Sequence, residues 1–298
     1  MDAISLDRVT KTFGSVRAVD GLSARIPKGC IYGFLGPNGA GKTTTLRMLV
    51  NIISPDSGRI EILGQKAGAE VLGRVGYLPE ERGLYSRMKV RAVLAYFATL
   101  KGMKDPGAEI SRWLEGMGLA EWGNRKVEDL SRGMRQKLQF AVTAVNDPDV
   151  LILDEPFSGL DPVNLDLIKG IMLDMRERGK TVLFSTHMMD QAERLCDSIL
   201  LINKGKKVAD DTVDAIRAEY RTNAVAVVVE GESGFIGDLP FVRKVDRKDG
   251  ELEVALSEGA DSQMLLQALV GKVRVRSFEE KSPSLHEIFV RLVGGSDE

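Results

Sequence analysis

The chain has 298 residues, 43% hydrophobic and 28% charged, the profile of a globular protein with one large domain or one domain plus an appendage. Forty-one basic residues against forty-three acidic ones leave a formal charge of −2, so no bulk positive field argues for nucleic-acid binding. Two cysteines, Cys30 and Cys196, cannot make a disulfide framework, and two histidines, His187 and His286, exclude a His-rich metal site. The cysteines read as small buried hydrophobes of a reducing compartment. The start, MDAISLDRVTKTF, lacks the regions of a signal peptide, and no apolar run approaches the ~18 residues that span a bilayer. A cytosolic protein is expected.

In chain order, Ile4, Leu6 and Val9 and then Leu22, Ala24 and Ile26 alternate as strands do. CIYGFL is a buried strand ending at a glycine-rich turn, and TTTLRMLVNII has helical spacing. GRIEILG and GRVGYLP read as short strands. From about 90 to 146 the spacing is helical throughout, an all-helical insertion. DVLILDEP, TVLFST and SILLIN are buried strands separated by helical segments, which implies parallel strands with helical crossovers. A linker helix near 212–220 leads to a small α+β appendage over 221–298, with strands in AVAVVVEG, VRKVDR, ELEVAL and VRVRSF and helices in SQMLLQALV and SLHEIFVRLV.

GPNGAGKT satisfies the phosphate-loop pattern G-x-x-x-x-G-K-[ST] between a strand and a helix. Gly36, Gly39 and Gly41 let the backbone N–H groups of the loop, which also contains Pro37, Asn38 and Ala40, converge on phosphate oxygens, and Thr44 follows at the helix start. Lys42 adds a point charge on the outer phosphates, and Thr43 offers a hydroxyl to Mg²⁺. Asp154 and Glu155 close a buried strand at its carboxyl end, where open parallel sheets bind ligands. Asp154 is expected to hold Mg²⁺ through water, and Glu155 to polarise the water that attacks the γ-phosphate.

Together with these, LSRGMRQKLQ (130–139), SGLD (158–161) and STH ending at His187 follow one another as in the ATP-binding-cassette ATPases, which the chain resembles over about residues 3–220. The resemblance implies an α/β phosphate-loop NTPase core with an antiparallel β subdomain, the helical insertion and, in this chain, the small C-terminal domain. It implies ATP and Mg²⁺ as ligands and a head-to-tail homodimer. In that dimer Ser131 and Gly133 of one chain meet the γ-phosphate held by the other, Asp161 sits at the interface, and His187 contacts the γ-phosphate. Ser131 also suits the N-cap of the following helix. Phe13 in KTFG stands where the family stacks an aromatic ring on adenine; a core aromatic is the other reading. Arg132 replaces a glycine of the signature, and either adds a cation near the phosphates or faces solvent.

The family normally has a glutamine after the strand that here ends in YLP, and this chain has Glu80, expected to act on Mg²⁺, with Glu81 its solvated neighbour. Leu84, Tyr85 and Met88 either meet a membrane partner or pack the insertion's own core. YLPEERGLY and the terminal PSLHEIFVRLVG resemble the ATPase subunits of bacterial sodium-extrusion and drug-export systems. That implies a separate transmembrane permease, a place at the inner face of the cell membrane, and no nucleic-acid partner. The competing readings are a soluble cassette protein acting on ribosomes or DNA and an ATP-dependent dimerisation module without hydrolysis. A single cassette weighs against the first, and the presence of Glu155 and His187 weighs against the second.

Overall fold

The computed structural model describes residues 1–81, 83–248 and 250–294, and every count refers to these; Arg82 of the YLPEERGLY stretch lies outside them. The chain forms two compact units, Met1–Val213 and Asp214–Glu298.

The first unit opens with an antiparallel hairpin, β1 (Asp2–Phe13) and β2 (Val16–Pro27). Ile4 of β1 pairs Ile26 on one side and Ile62 on the other, so the alternating apolar residues share one buried face. β3 (Ile31–Leu35) and α1 (Lys42–Leu49) come next, then β4 (Ser57–Ile62) and β5 (Gln65–Lys66). This sheet runs β2-β1-β4-β5 and is antiparallel, as expected. A one-turn α2 (Ala69–Leu72) precedes β6 (Val75–Leu78).

The insertion holds α3 (Val90–Leu100), α4 (Gly107–Gly116), two short turns and α5 (Arg132–Ala144). Its core includes Val93, Leu94, Trp113 and Phe140, the two rings 6.4 Å apart. Tyr85 lies just before α3, is exposed, meets Tyr96 edge to face at 5.6 Å and stacks on Phe97 at 6.2 Å. It therefore packs on the insertion's outer face rather than in its core.

β7 (Val150–Asp154), α6 (Pro162–Glu177), β8 (Thr181–Thr186), α7 (Met189–Leu195), β9 (Ser198–Asn203) and β10 (Lys206–Thr212) complete the unit. The second sheet runs β10-β9-β3-β8-β7-β6 and is parallel except for β10. Every residue of β3, β7 and β8 is buried, which is why these strands read as unbroken apolar runs. β10 (KKVADDT) is an addition to the sequence reading. It is a polar edge strand, and its composition hides it from a hydrophobic pattern.

α8 (Val213–Glu219) leads into the second unit, whose sheet contains β11 (Ala224–Glu230), β12 (Val242–Lys248), β13 (Glu251–Leu256) and β14 (Arg274–Glu280). The strands lie in the order β12-β13-β11-β14 and are antiparallel. α9 (Ser262–Leu269) packs Leu265 and Leu269 against Val225, Val227, Leu252 and Val254. α10 (Leu285–Gly294) closes the chain.

Candidate nucleotide site

The turn between β3 and α1 carries residues 36–41, and α1 begins at Lys42. Gly41 has φ +104°, and a Cβ there would stand 2.4 Å from the Ala18 carbonyl oxygen, so this position needs glycine on both counts. The α1 N-terminus has no side-chain cap, which leaves its first N–H groups facing a cleft of about 410 Å³. Residues 37–44 line that cleft with Ala18, Glu80 and Glu155.

Lys42 is nearly buried and donates from Nζ to the carbonyls of Gly36 (2.7 Å) and Pro37 (3.2 Å). Its Nζ is also 3.5 Å from Oε1 of Glu155. Asp154 is fully enclosed, and its Oδ1 accepts from the hydroxyls of Ser185 (2.5 Å) and Thr43 (3.2 Å). Oδ2 is buried with no hydrogen-bond partner among the described residues. Burial raises the Asp154 pKa and the charge of Glu155 adds to this; the bonds from Ser185 and Thr43 and the charge of Arg47 oppose it. Glu155 is buried with φ +47°, and its N–H donates to Ser185 Oγ at 3.1 Å. His187 Nδ1 is 3.1 Å from Glu155 Oε1, and the His187 side chain is half exposed. The carboxyl ends of β3, β7 and β8 thus bring Lys42, Thr43, Asp154, Glu155 and His187 to one place.

Ser131, Gly133 and Asp161 do not line the cleft. Ser131 caps α5, its Oγ accepting from Met134 N at 3.3 Å. Asp161 caps α6, accepting from Asn164 N at 3.0 Å, and its hydrogen bonds from Asn164 hold its carboxyl below the usual range. A Cβ on Gly133 would lie 3.4 Å from Asn164 Nδ2, so the two helix starts adjoin. Arg132 lies against Gly159: a Cβ built there would be 2.6 Å from its guanidinium. Within its own chain Arg132 therefore covers the SGLD loop while staying exposed. Gln136, unassigned by sequence, is buried and donates from Nε2 to the carbonyls of Pro156 (3.3 Å) and Ser158 (2.7 Å). Ser185 was equally silent. Both are buried polar side chains, which must find partners inside the fold, and their burial rather than any local pattern marks them.

Phe13 is 50% exposed with Lys11 Nζ 5.5 Å from its ring centre, so it is not a core aromatic, and it does not line the cleft. Glu80 lines the cleft and also a larger cavity of about 700 Å³ that Arg132, Gln136 and Glu81 share. Glu81 reaches only the second.

Residues 19–158 match the ABC transporter family, and residues 212–293 match the C-terminal domain of DrrA1-3-like ATP-binding proteins. The chain is 40% identical over 293 residues to the uncharacterized ABC transporter ATP-binding protein YhaQ of Bacillus subtilis (strain 168), covering 98% of each. The chain belongs to the ABC transporter ATP-binding proteins. It is therefore an ATPase of this family. The Nod factor export ATP-binding protein I of Rhizobium sp. (strain N33) is 36% identical over 299 residues, 98% of this chain and 97% of that one. A solved ATP-binding subunit of an ABC transporter superposes with a TM-score of 0.68 at 27% identity, over 73% of this chain and 93% of that one.

Thr43 and Asp154 suit a divalent ion that arrives with a nucleotide: a hydroxyl, a carboxylate oxygen in use, and a second carboxylate oxygen without a partner. Among the described residues no group of three or more His, Cys, Asp or Glu is gathered to hold a metal without phosphate oxygens.

Proposed function

We propose that this ABC ATPase energises a separate transmembrane permease, an exporter, as a head-to-tail homodimer at the inner face of the membrane. The observation that carries the hydrolytic part is the meeting of Lys42, Thr43, Asp154, Glu155 and His187 at the carboxyl ends of three neighbouring strands. The N–H groups at the start of α1, with that of Gly39, bind the phosphates, and the Ala40 N–H, which donates to the Pro37 carbonyl at 3.2 Å, holds the turn that presents them. Lys42 leaves the carbonyls of Gly36 and Pro37 for the outer phosphates. Glu155 then loses its nearby cation and accepts a proton from the attacking water. His187, bonded to the same carboxylate, orients Glu155 and contacts the γ-phosphate. Mg²⁺ bound with ATP, held by Thr43, Asp154 and Glu80, would neutralise charge on the outer phosphates. Phe13 offers its exposed face to the adenine.

Ser131 and Gly133 lie apart from the cleft, which suits a role toward the ATP of a second chain. The Ser131 oxygen accepts the cap bond and its O–H remains free to donate, so capping and phosphate binding coexist. The export assignment rests on the DrrA-like C-terminal domain and the Nod factor export relative. Among the described residues no helix is long and apolar enough to cross a membrane, so a permease would be another chain.

Glu155→Gln tests the core of the reading. Turnover should fall by roughly 10²–10⁴-fold while ATP holds a dimer visible by size-exclusion chromatography. Unchanged hydrolysis would overturn the role of Glu155.

A further inference from the structure

We propose that Ser185 is a positioning residue of the hydrolytic site, whose one hydroxyl fixes Asp154 against Glu155 and thereby sets how much divalent ion nucleotide binding requires. The proposal rests on the reading of Asp154 as the acid that faces the ion.

The parallel pairing of β7 with β8 puts Asp154 opposite Ser185. Ser185 is fully buried and lies outside the cleft lining, so it cannot itself reach a phosphate. A hydroxyl has one hydrogen and two lone pairs. Here the hydrogen goes to Asp154 Oδ1 at 2.5 Å, and a lone pair takes the N–H of Glu155 at 3.1 Å. One atom thus ties together the side chain of the first acid and the backbone of the second.

The other donor to Asp154 is Thr43, at the longer distance of 3.2 Å. The Thr43 hydroxyl lines the cleft and would turn a lone pair to the ion once a nucleotide is bound, so the direction of its bond to Asp154 is shared with the ion. Ser185 has no competing partner in the cleft and is the permanent anchor. With Oδ1 held by Ser185, the partnerless Oδ2 is the oxygen left for the ion or its water. The neighbouring Thr186 does not share the task, because the next residue along a strand faces the other side of the sheet, and there its hydroxyl accepts from Met188 N at 3.0 Å.

The second contact matters because Glu155 has φ +47°, a backbone state that residues other than glycine keep only when their surroundings impose it. The bond to Ser185 Oγ falls on the N–H of that residue. Loss of the hydroxyl would take this bond from a buried N–H and free the carboxylate of Glu155 to shift from His187. A purely structural serine would lower stability alike but leave the ion requirement unchanged.

The test is the binding of a fluorescent ATP analogue at graded Mg²⁺ to the full chain and to its S185A, S185T and D154N variants, with apo melting temperatures in parallel. S185A should need roughly 10–100-fold more Mg²⁺ for half-maximal nucleotide binding, the usual effect of losing a partner that orients a ligand. S185T, which keeps the hydroxyl, should stay near the parent. If S185A melts lower but keeps the parent's Mg²⁺ dependence while D154N shifts it, Ser185 is only structural and the proposal falls. If D154N does not shift it either, the reading of Asp154 falls with it. Should S185A not fold, S185C carries the same test with its weaker donor, and an unshifted Mg²⁺ requirement would again overturn the proposal.

Discussion

In and beneath the candidate cleft Lys42, Asp154 and Glu155 are each less than a tenth exposed, whereas the side chains of Glu230, Arg276, Lys281 and Glu253, in or next to the C-terminal sheet, are 38–54% exposed. Both regions pair opposite charges at short range. In the cleft the charges are stripped of water, held by backbone carbonyls and hydroxyls, and left with an unsatisfied oxygen on Asp154. In the sheet each charge keeps much of its hydration and lies beside its partner on a solvated face. Desolvated charge is costly to keep and strong when it meets a ligand; solvated charge is cheap and weak. The difference marks the cleft as the place where stability has been yielded for binding.

Substitutions on the two sides should therefore differ in kind. Lys42→Ala removes the buried cation, and ATP binding should weaken by about 3 kcal/mol, roughly a hundredfold, in a fluorescence titration. It also leaves the Glu155 carboxylate without its nearest ammonium, so the apo protein should melt lower. Parent-like ATP affinity would mean that the buried ammonium serves the fold alone and would erase the contrast.

A smaller effect is expected where the first unit meets its own signature helix. Gly159 has φ +74° and lies under the Arg132 guanidinium. Gly159→Ala should cost about 1–2 kcal/mol in chemical denaturation from the backbone conformation, and more while Arg132 stays in place. Pairing it with Arg132→Ala should recover only the second part. Full recovery in the double variant would show that the arginine, not the backbone, sets the cost.

These cases show what the sequence discloses. The phosphate loop and the Asp154–Glu155 pair are legible because the chemistry is contiguous and each motif adjoins an apolar strand. The alternation in β1 and β2 is legible because one face is buried. The position of β3 between β8 and β9 is not, since it depends on pairing between distant segments. Arg132 was open between two readings; its contact with Gly159 belongs to neither, and only the folded chain brings α5 onto that loop. Ser185 stood inside a quoted motif, yet its bond to Asp154 follows from the β7–β8 register, which no local pattern encodes. In the C-terminal unit the strands and helices were readable one by one, but their order β12-β13-β11-β14 was not.

The least effect is expected at the exposed end of the comparison. Glu230 ends β11 and accepts from Arg276 Nε at 2.8 Å, with Arg274 4.0 Å away. By distance alone the Arg276–Glu230 contact is closer than the Lys42–Glu155 pair at 3.5 Å. The side chains of this cluster are 48–71% exposed, so water and salt screen the attraction and each long side chain loses freedom to hold one geometry. The antiparallel bonds of β11 to β13 and β14, and the packing of Val225 and Val227 beneath them, do not involve these side chains. Glu230→Ala should therefore change unfolding free energy by less than about 1 kcal/mol, with the difference shrinking as salt is raised. A loss as large as that at Lys42, or one indifferent to salt, would show that proximity rather than burial governs the charges of this protein.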